Sequence, residues 1–307
     1  MSTTHGPRIR APFPHAAWAA PRAFLVLLAR ENLLLAISMG AVTWVVQTMI
    51  GVAPEPVSPA IVALAFYAVY TLDRAADAGA DARTHPERAR FSQRNARRMR
   101  ATAAAAYALA VGLAAGRGGW SVAVALLPLG AVILYSFPIL PKVVARRVGY
   151  ARVKEVPVLK NVWVAVTLAA TTALLPVTIA GGAPRWTPVA AMGAFLFGRW
   201  WINGLFFDLR DEAGDRANGL RTVPVMLGRA RTLRLLHGAN ALLGAATLAV
   251  PLLGGAPAGF ALLAAGSVYT GGYLRACAAG GDPHFLCDVV ADGELLVLSA
   301  LVLAAMA

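Results

Sequence analysis

Two short ladders of aspartates stand out in the sequence, because each follows directly on a long apolar run. The first ladder repeats every four residues, and on a helix this spacing stacks the carboxylates on one face, one turn apart. Like charges at that spacing repel each other, so the pattern indicates a bound cation better than a chance decoration of a helix. This ladder consists of Asp73, Asp77 and Asp81.

The second ladder keeps the four-residue interval between Asp211 and Asp215, and Asp208 stands three residues earlier on the same helix face. Carboxylate oxygens are the ligands that Mg²⁺ prefers, usually together with waters and phosphate oxygens. A single ladder could equally be solvated, or neutralise nearby arginines. Two ladders in equivalent places of one membrane chain favour a metal site, because stacked carboxylates are costly at the bilayer edge. The pair therefore predicts Mg²⁺ ions around a diphosphate.

Basic residues accompany the ladders. Lys160 and Asn161 stand at the start of an apolar run, where a lysine requires an anionic partner, and a diphosphate oxygen would serve. Arg74 and Arg210 lie inside the ladders. They would either contact phosphate or neutralise the neighbouring carboxylates, and the sequence favours neither alternative.

Further polar residues fall inside apolar runs and are candidates for the lining of a cavity. Asn203 precedes Asp208 by about one helical turn, so it would reach the metal site. Arg199 lies deeper in the same run and would either face a water-filled cavity or extend toward the interface. Asp288 and Asp292 form a third four-residue pair, which would line the cavity or lie at the membrane interface.

The amino-acid composition indicates the class of protein that must position these side chains. The chain has 307 residues, 58% hydrophobic and 14% charged, with a mean hydropathy of +0.63. Soluble domains carry about 25% charged residues, so the composition predicts a polytopic membrane protein. The net charge of +13 does not indicate nucleic-acid binding, because the basic residues lie in short loops between apolar runs. The histidines and the two cysteines form no metal or nucleophile motif.

Nine apolar runs are long enough, or nearly so, to span a bilayer, which requires roughly 17–25 residues each. They predict an all-α membrane bundle of about nine transmembrane helices. The predicted spans are 31–50, 57–76, 101–116, 120–140, 158–178, 187–207, 231–253, 257–276 and 286–306.

Loop charges predict the orientation of the bundle. With the N-terminus inside, the outer loops hold only Arg117 and Arg185, whereas residues 83–100 on the inner side carry seven arginines. Positive residues concentrate on the cytoplasmic side of membrane proteins. We therefore predict a cytoplasmic tail over residues 1–30 and a single transmembrane domain over 31–307. The protein would lie in the plasma (inner) membrane, with both ladders facing the cytoplasm.

The second ladder and the residues after it resemble the second aspartate motif of the UbiA superfamily of intramembrane prenyltransferases. The shared pattern is D-x-x-D-x-x-x-D followed by G-x-R-T-x-P, and here it runs from Asp208 to Pro224. The first ladder resembles the family's N-x-x-x-D-x-x-x-D motif, in which Asp77 and Asp81 match. Asp73 stands where the family has asparagine, which adds negative charge at the metal site.

This resemblance implies a helical bundle around a central cavity, with Mg²⁺ and an isoprenyl diphosphate at its cytoplasmic mouth. By motif position, the six ladder aspartates would hold the metal. Lys142, Lys154 and Lys160 would resemble the family's basic residues over the diphosphate, and Tyr135 the tyrosine of that loop.

The function that the resemblance implies is Mg²⁺-dependent transfer of an isoprenyl group to a lipophilic or aromatic acceptor. An alternative on the same scaffold is a membrane terpene cyclase, which converts a C15 or C20 diphosphate to a cyclic terpene without an acceptor. A third is a transporter or binding protein that releases no diphosphate.

Overall fold

The computed structural model describes residues 19–77, 86–136, 153, 156–181 and 184–307, and these form helices joined by short turns, with no strand among them. The first half contributes five helices: α1 (Ala19–Arg30), α2 (Leu33–Ile50), α3 (Val57–Asp77), α4 (Pro86–Ala115) and α5 (Gly119–Ser136). The second half begins with α6 (Leu159–Ala180), α7 (Trp186–Ala217), the short α8 (Val223–Leu227) and α9 (Arg229–Leu252).

The C-terminal part is less regular. A 3₁₀ segment, Ala258–Ala264, continues into α10, Ala265–Ala278. A helical turn at Pro283–Phe285, with its first amides capped by Asp282, and a π-helical turn at Leu286–Ala291 lead into α11 (Glu294–Met306). Such π turns are rare and frequently occur at functional sites.

A helix covers each of the nine predicted spans as far as the residues are described. Among the described residues, four helical segments are long and apolar enough to cross a membrane, namely Leu33–Ile50, Leu159–Ala180, Arg229–Leu252 and Pro283–Met306. Two helices extend well beyond the predicted spans: α4 begins at Pro86, and α7 continues to Ala217, so residues 208–217 lie outside the predicted span 187–207. Helix α1 falls inside the predicted tail. The division into tail and single domain stays a prediction.

Helices α2, α3, α5, α6, α7 and α11 surround the centre of the bundle. The larger apolar core fills the space between them, and a second core packs α9 and α10 against the outer side of α7. We call the end where α3, α5 and α7 finish and α2, α6 and α11 begin the motif end, because both ladders lie there. Asn32, in a left-handed conformation between α1 and α2, donates from Nδ2 to Thr71 Oγ1 at 3.1 Å and ties α2 to α3 at this end.

Candidate active site

A cavity of about 230 Å³ opens between the six central helices and reaches the motif end. Its deeper wall is apolar and aromatic, and includes Phe66, Trp163, Leu168, Trp200 and Phe207. Its mouth is polar, and the side chains there come from five different helical segments. These polar side chains are Asp73, Tyr135, Lys160, Asn161, Asn203, Asp208 and Asp292.

The structure thus brings one residue of each predicted ladder, and most of the predicted polar partners, to the same cavity. Asp73 reaches it from α3 and Asp208 from α7, although 135 positions separate them in the sequence. Tyr70 was not among the sequence candidates and also lines the cavity. Its position three residues before Asp73 was the available signal, because this spacing places both side chains on one helix face.

Asp208 is the most buried of the described ladder carboxylates, with 7% of the residue exposed. Lys160 Nζ lies 2.7 Å from its Oδ1, and Asn161 Nδ2 donates to its Oδ2 at 2.8 Å. Burial raises the pKa of the Asp208 carboxyl, while the positive charge and hydrogen bonds of Lys160 and the hydrogen bond of Asn161 act in the opposite direction. Lys160 therefore has its anionic partner inside the protein, and this partner is a residue of the second ladder.

Asp211 lies one turn beyond Asp208 and is held by a second cation. Arg210 donates from Nε to Asp211 Oδ1 at 2.8 Å and from one terminal nitrogen to Oδ2 at 2.9 Å. Its other terminal nitrogen bonds Asp288, on the π-helical turn. Arg210 is only 7% exposed, so this guanidinium joins two helices as a buried cation between two carboxylates.

Asp215 differs from its two ladder neighbours. Its Oδ2 is buried and accepts no hydrogen bond from any residue that the structure describes. Burial raises the pKa of the Asp215 carboxyl to about 6; Lys160 and the nearby Thr222 hydroxyl oppose the rise, and Asp208 and Asp211 add to it. Thr222 lies near this carboxyl but does not reach Oδ2 with hydrogen-bond geometry, so a bound cation could supply the missing partner.

The structure describes only part of the first ladder. Asp77 is the last residue of α3, but the direction of its side chain is outside the described structure, as is Asp81. The predicted diphosphate-binding residues Lys142 and Lys154 also lie outside the described residues. Arg74 donates from one nitrogen to the carbonyl oxygens of Ala29 and Arg30, so it anchors α3 to the end of α1.

A second, more polar cavity of about 370 Å³ lies on the α1 side of this anchor. Its wall includes four arginines together with carboxylates from the α10–α11 connection, among them Asp288. Of the predicted third acidic pair, Asp292 therefore lines the central cavity, whereas Asp288 lines the second cavity and bonds Arg210.

Arg199 lines neither of the two cavities described above, so its place at a water-filled cavity stays a prediction, and its burial differs from an extension to the interface. It is 1% exposed and pairs with Glu294 at 2.9 Å, with further bonds to Asn240 and Thr270. The same group of side chains reaches the central cavity through Tyr273, whose hydroxyl donates to Asn203 Oδ1 at 2.6 Å.

The donor chemistry of the mouth suits Mg²⁺, because oxygen ligands dominate it. Within the described ranges, however, no three acidic, histidine or cysteine side chains already stand close enough to enclose a metal ion. The Asp77 side chain and Asp81 are outside these ranges, and among the described ladder residues Lys160 contacts Asp208 and Arg210 contacts Asp211. The site thus holds carboxylates suited to Mg²⁺, and two of them are paired with cationic side chains of the protein.

Comparison with solved structures gives matches over nearly the whole chain. An apo UbiA homologue from Aeropyrum pernix K1 superposes with a TM-score of 0.60 at 16% identity, covering 90% of this chain and 98% of that chain. A UbiA homologue from Archaeoglobus fulgidus bound to DMAPP and Mg²⁺ gives 0.54 at 17% identity, covering 94% and 96%. A digeranylgeranylglyceryl phosphate synthase gives 0.55 at 13% identity, covering 93% and 97%. At these identities the matches show a common fold.

The comparison with curated protein sequences gives no significant match. The family model of the UbiA prenyltransferase family matches residues 33–280, a range that includes both aspartate ladders and the helices carrying them. Since this match covers most of the chain and agrees with the fold, the protein is a multi-pass membrane protein that belongs to the UbiA prenyltransferase family.

Proposed function

We propose that the protein is a Mg²⁺-dependent membrane prenyltransferase that moves an isoprenyl group from its diphosphate to a lipophilic acceptor. The observation that carries this proposal is one cavity with two chemically distinct parts. Its mouth holds aspartates of both ladders beside Lys160 and Asn161, and its deeper wall is apolar. The solved UbiA homologues bound to DMAPP or GPP with Mg²⁺ support the same ligand chemistry.

Different residues would bind the two ends of the substrate. The Lys160 ammonium and the Asn161 amide would donate to oxygens of the diphosphate, and the ladder aspartates would hold Mg²⁺. Bound Mg²⁺ would neutralise the charge that develops on the leaving diphosphate. The faces of Trp163, Trp200 and Phe207 would surround the isoprenoid, exclude water and stabilise the allylic cation.

The proposal keeps the predicted orientation, with the motif end toward the cytoplasm of the inner membrane. Arginines that lie on the described part of α4 near the motif end, such as Arg97, Arg98 and Arg100, support it. A water-soluble diphosphate headgroup would then approach the mouth from the cytoplasm. The prenyl chain would lie in the membrane-embedded part of the cavity.

Product analysis tests the proposal. Purified protein is incubated with Mg²⁺ and C10, C15 or C20 isoprenyl diphosphate, with and without a lipid or aromatic extract, and the organic phase is examined by mass spectrometry. We expect a prenylated product that forms only when the extract is present, with a mass gain that identifies the acceptor class. A cyclic hydrocarbon or terpene alcohol without extract would instead establish a cyclase. Binding without pyrophosphate release would contradict both enzymatic activities.

Gly204 provides a finer test of the Asn161 position. A Cβ added at Gly204 would stand 3.2 Å from Asn161 Oδ1, so Asn161 must shift by a few tenths of an ångström while its Nδ2 is bonded to Asp208. We expect Gly204→Ala to lower turnover about tenfold, because small misplacements of binding groups are costly in catalysis. Steady-state pyrophosphate release measures the effect.

Gly193→Ala is the matched control on the same helix, since its added Cβ would meet only Ala173 Cβ at 4.0 Å. Both substitutions improve helix propensity by about 1 kcal/mol, so general stability changes in the same direction. Equal turnover in the two variants would remove Asn161 from the substrate-binding set.

A further inference from the structure

Two carboxylates of the second ladder, Asp208 at the cavity mouth and Asp211 one turn beyond it, each have an internal cation as a partner. Lys160 Nζ stands 2.7 Å from Asp208 Oδ1, and the two side chains are 16% and 10% exposed. Arg210 bonds both oxygens of Asp211 and is itself 7% exposed. An ammonium thus occupies one oxygen of Asp208, and a guanidinium occupies both oxygens of Asp211.

A metal ion that bound alone would have to compete with these cations. Capture of Asp208 by the metal would leave the Lys160 ammonium poorly solvated and without this counter-charge, whereas capture of Asp211 would leave Arg210 with Asp288 as its remaining carboxylate. An uncompensated charge in a site with little solvent is strongly unfavourable. The internal pairing thus opposes metal binding in the absence of a second anion.

A diphosphate removes this penalty, because it brings its own negative oxygens into the same mouth. Lys160 and Arg210 can then turn from the carboxylates to phosphate oxygens, to which both side chains form strong charge-assisted hydrogen bonds. The released carboxylates are free to bind the metal. Each ligand favours the binding of the other, and this coupling is reciprocal by thermodynamic necessity.

We propose that Lys160 and Arg210 are exchangeable counter-cations, which occupy Asp208 and Asp211 until a diphosphate arrives and so make metal and diphosphate bind cooperatively. The inference rests on the proposed function only in taking a diphosphate as the anion. Removal of the positive charge of Lys160 should therefore strengthen metal binding when no diphosphate is present. A lysine that merely bound substrate would leave metal binding alone unchanged.

Mn²⁺ binding to the full chain in detergent tests this, with free Mn²⁺ measured by electron paramagnetic resonance. For the wild type we expect at least about tenfold tighter Mn²⁺ binding with inorganic pyrophosphate than without it, after correction for Mn²⁺–pyrophosphate complexes in solution. For Lys160→Met we expect about tenfold tighter Mn²⁺ binding without pyrophosphate, and little further gain when pyrophosphate is added.

Arg210→Gln is the second variant, and it should change Mn²⁺ binding in the same direction through Asp211. Arg216→Gln is the matched control: it removes one positive charge from the same helix, but Arg216 is exposed and pairs only with Glu212 in the described structure. Unchanged or weaker binding of Mn²⁺ alone in both Lys160→Met and Arg210→Gln would overturn the proposal, as would an equal gain in Arg216→Gln. Turnover is not measured in this experiment. If the protein shows the expected Mn²⁺ binding but no transferase activity, the proposed reaction is wrong and the proposal about Lys160 and Arg210 still holds.

Discussion

Replacement of Asp208 by asparagine is expected to lower prenyl transfer by about 1,000-fold, which corresponds to about 4 kcal/mol of transition-state stabilisation. Asp208 is the ladder carboxylate that lines the cavity from α7, and it also orients Lys160 and Asn161. The amide retains the shape of the side chain but loses the negative charge that a metal requires. Mg²⁺-dependent pyrophosphate release, with isoprenyl diphosphate and acceptor both saturating, measures the loss.

Glu212→Gln is the control for this experiment. Glu212 lies on the same helix between Asp211 and Asp215 and carries the same charge, but it pairs with Arg216 and does not belong to the described cavity wall. We expect its turnover to stay within about twofold of the wild type, since exposed ion pairs contribute little. Comparable losses in Asp208→Asn and Glu212→Gln would show that net negative charge matters and that the ladder positions do not.

A folding defect is excluded with the Asp208→Asn protein itself. Its elution volume and thermal unfolding midpoint are compared with those of the wild type in the same detergent. An aggregated variant would be replaced by Asp211→Asn, because Arg210 would then still be paired with Asp288. Nearly full turnover in a folded Asp208→Asn or Asp211→Asn protein would contradict the metal assignment of the second ladder.

The positions of the helices could be predicted largely because membrane spans are defined by apolar length. Helix α2 begins two residues after the predicted start and ends at the predicted residue, Ile50. The extension of α7 to Ala217 lies beyond the apolar run that ended at 207, and only the helical spacing of the second ladder indicated it. Hydropathy reports the part of a helix at membrane depth, and says little about a helix that continues past the interface.

The candidate site shows a different limit. The sequence indicated that Lys160 needs an anionic partner, but a diphosphate was the predicted one, and the structure supplies Asp208. The partner lies 48 positions away on another helix, and only the packing of α6 against α7 brings the two side chains together. Residue types thus reveal that a charge must be compensated, whereas the identity of the partner depends on tertiary contacts.

Arg199 is also a charge whose partner depends on tertiary contacts, and its replacement should have a large effect on stability. Arg199 and Glu294 are each 1% exposed and 2.9 Å apart, and no described water-accessible wall contains either side chain. Arg199→Met is expected to lower the free energy of unfolding by about 3–5 kcal/mol, because it leaves the Glu294 carboxylate buried without its cation. SDS titration in mixed micelles, followed by circular dichroism, measures this loss.

The double variant Arg199→Met/Glu294→Leu should recover most of that stability, since replacement of both members of a buried pair by apolar residues is often neutral. Arg216→Met is the matched control: it breaks an ion pair of similar length, 2.8 Å, but Arg216 is 59% exposed, so we expect a loss of at most about 1 kcal/mol. If the double variant is as unstable as Arg199→Met, the cost comes from lost packing and hydrogen bonds to Asn240 and Thr270. If it recovers, the buried charge of Glu294 is the cause, and the hydrogen bond of Tyr273 to Asn203 at the cavity wall does not depend on the ion pair for its stability.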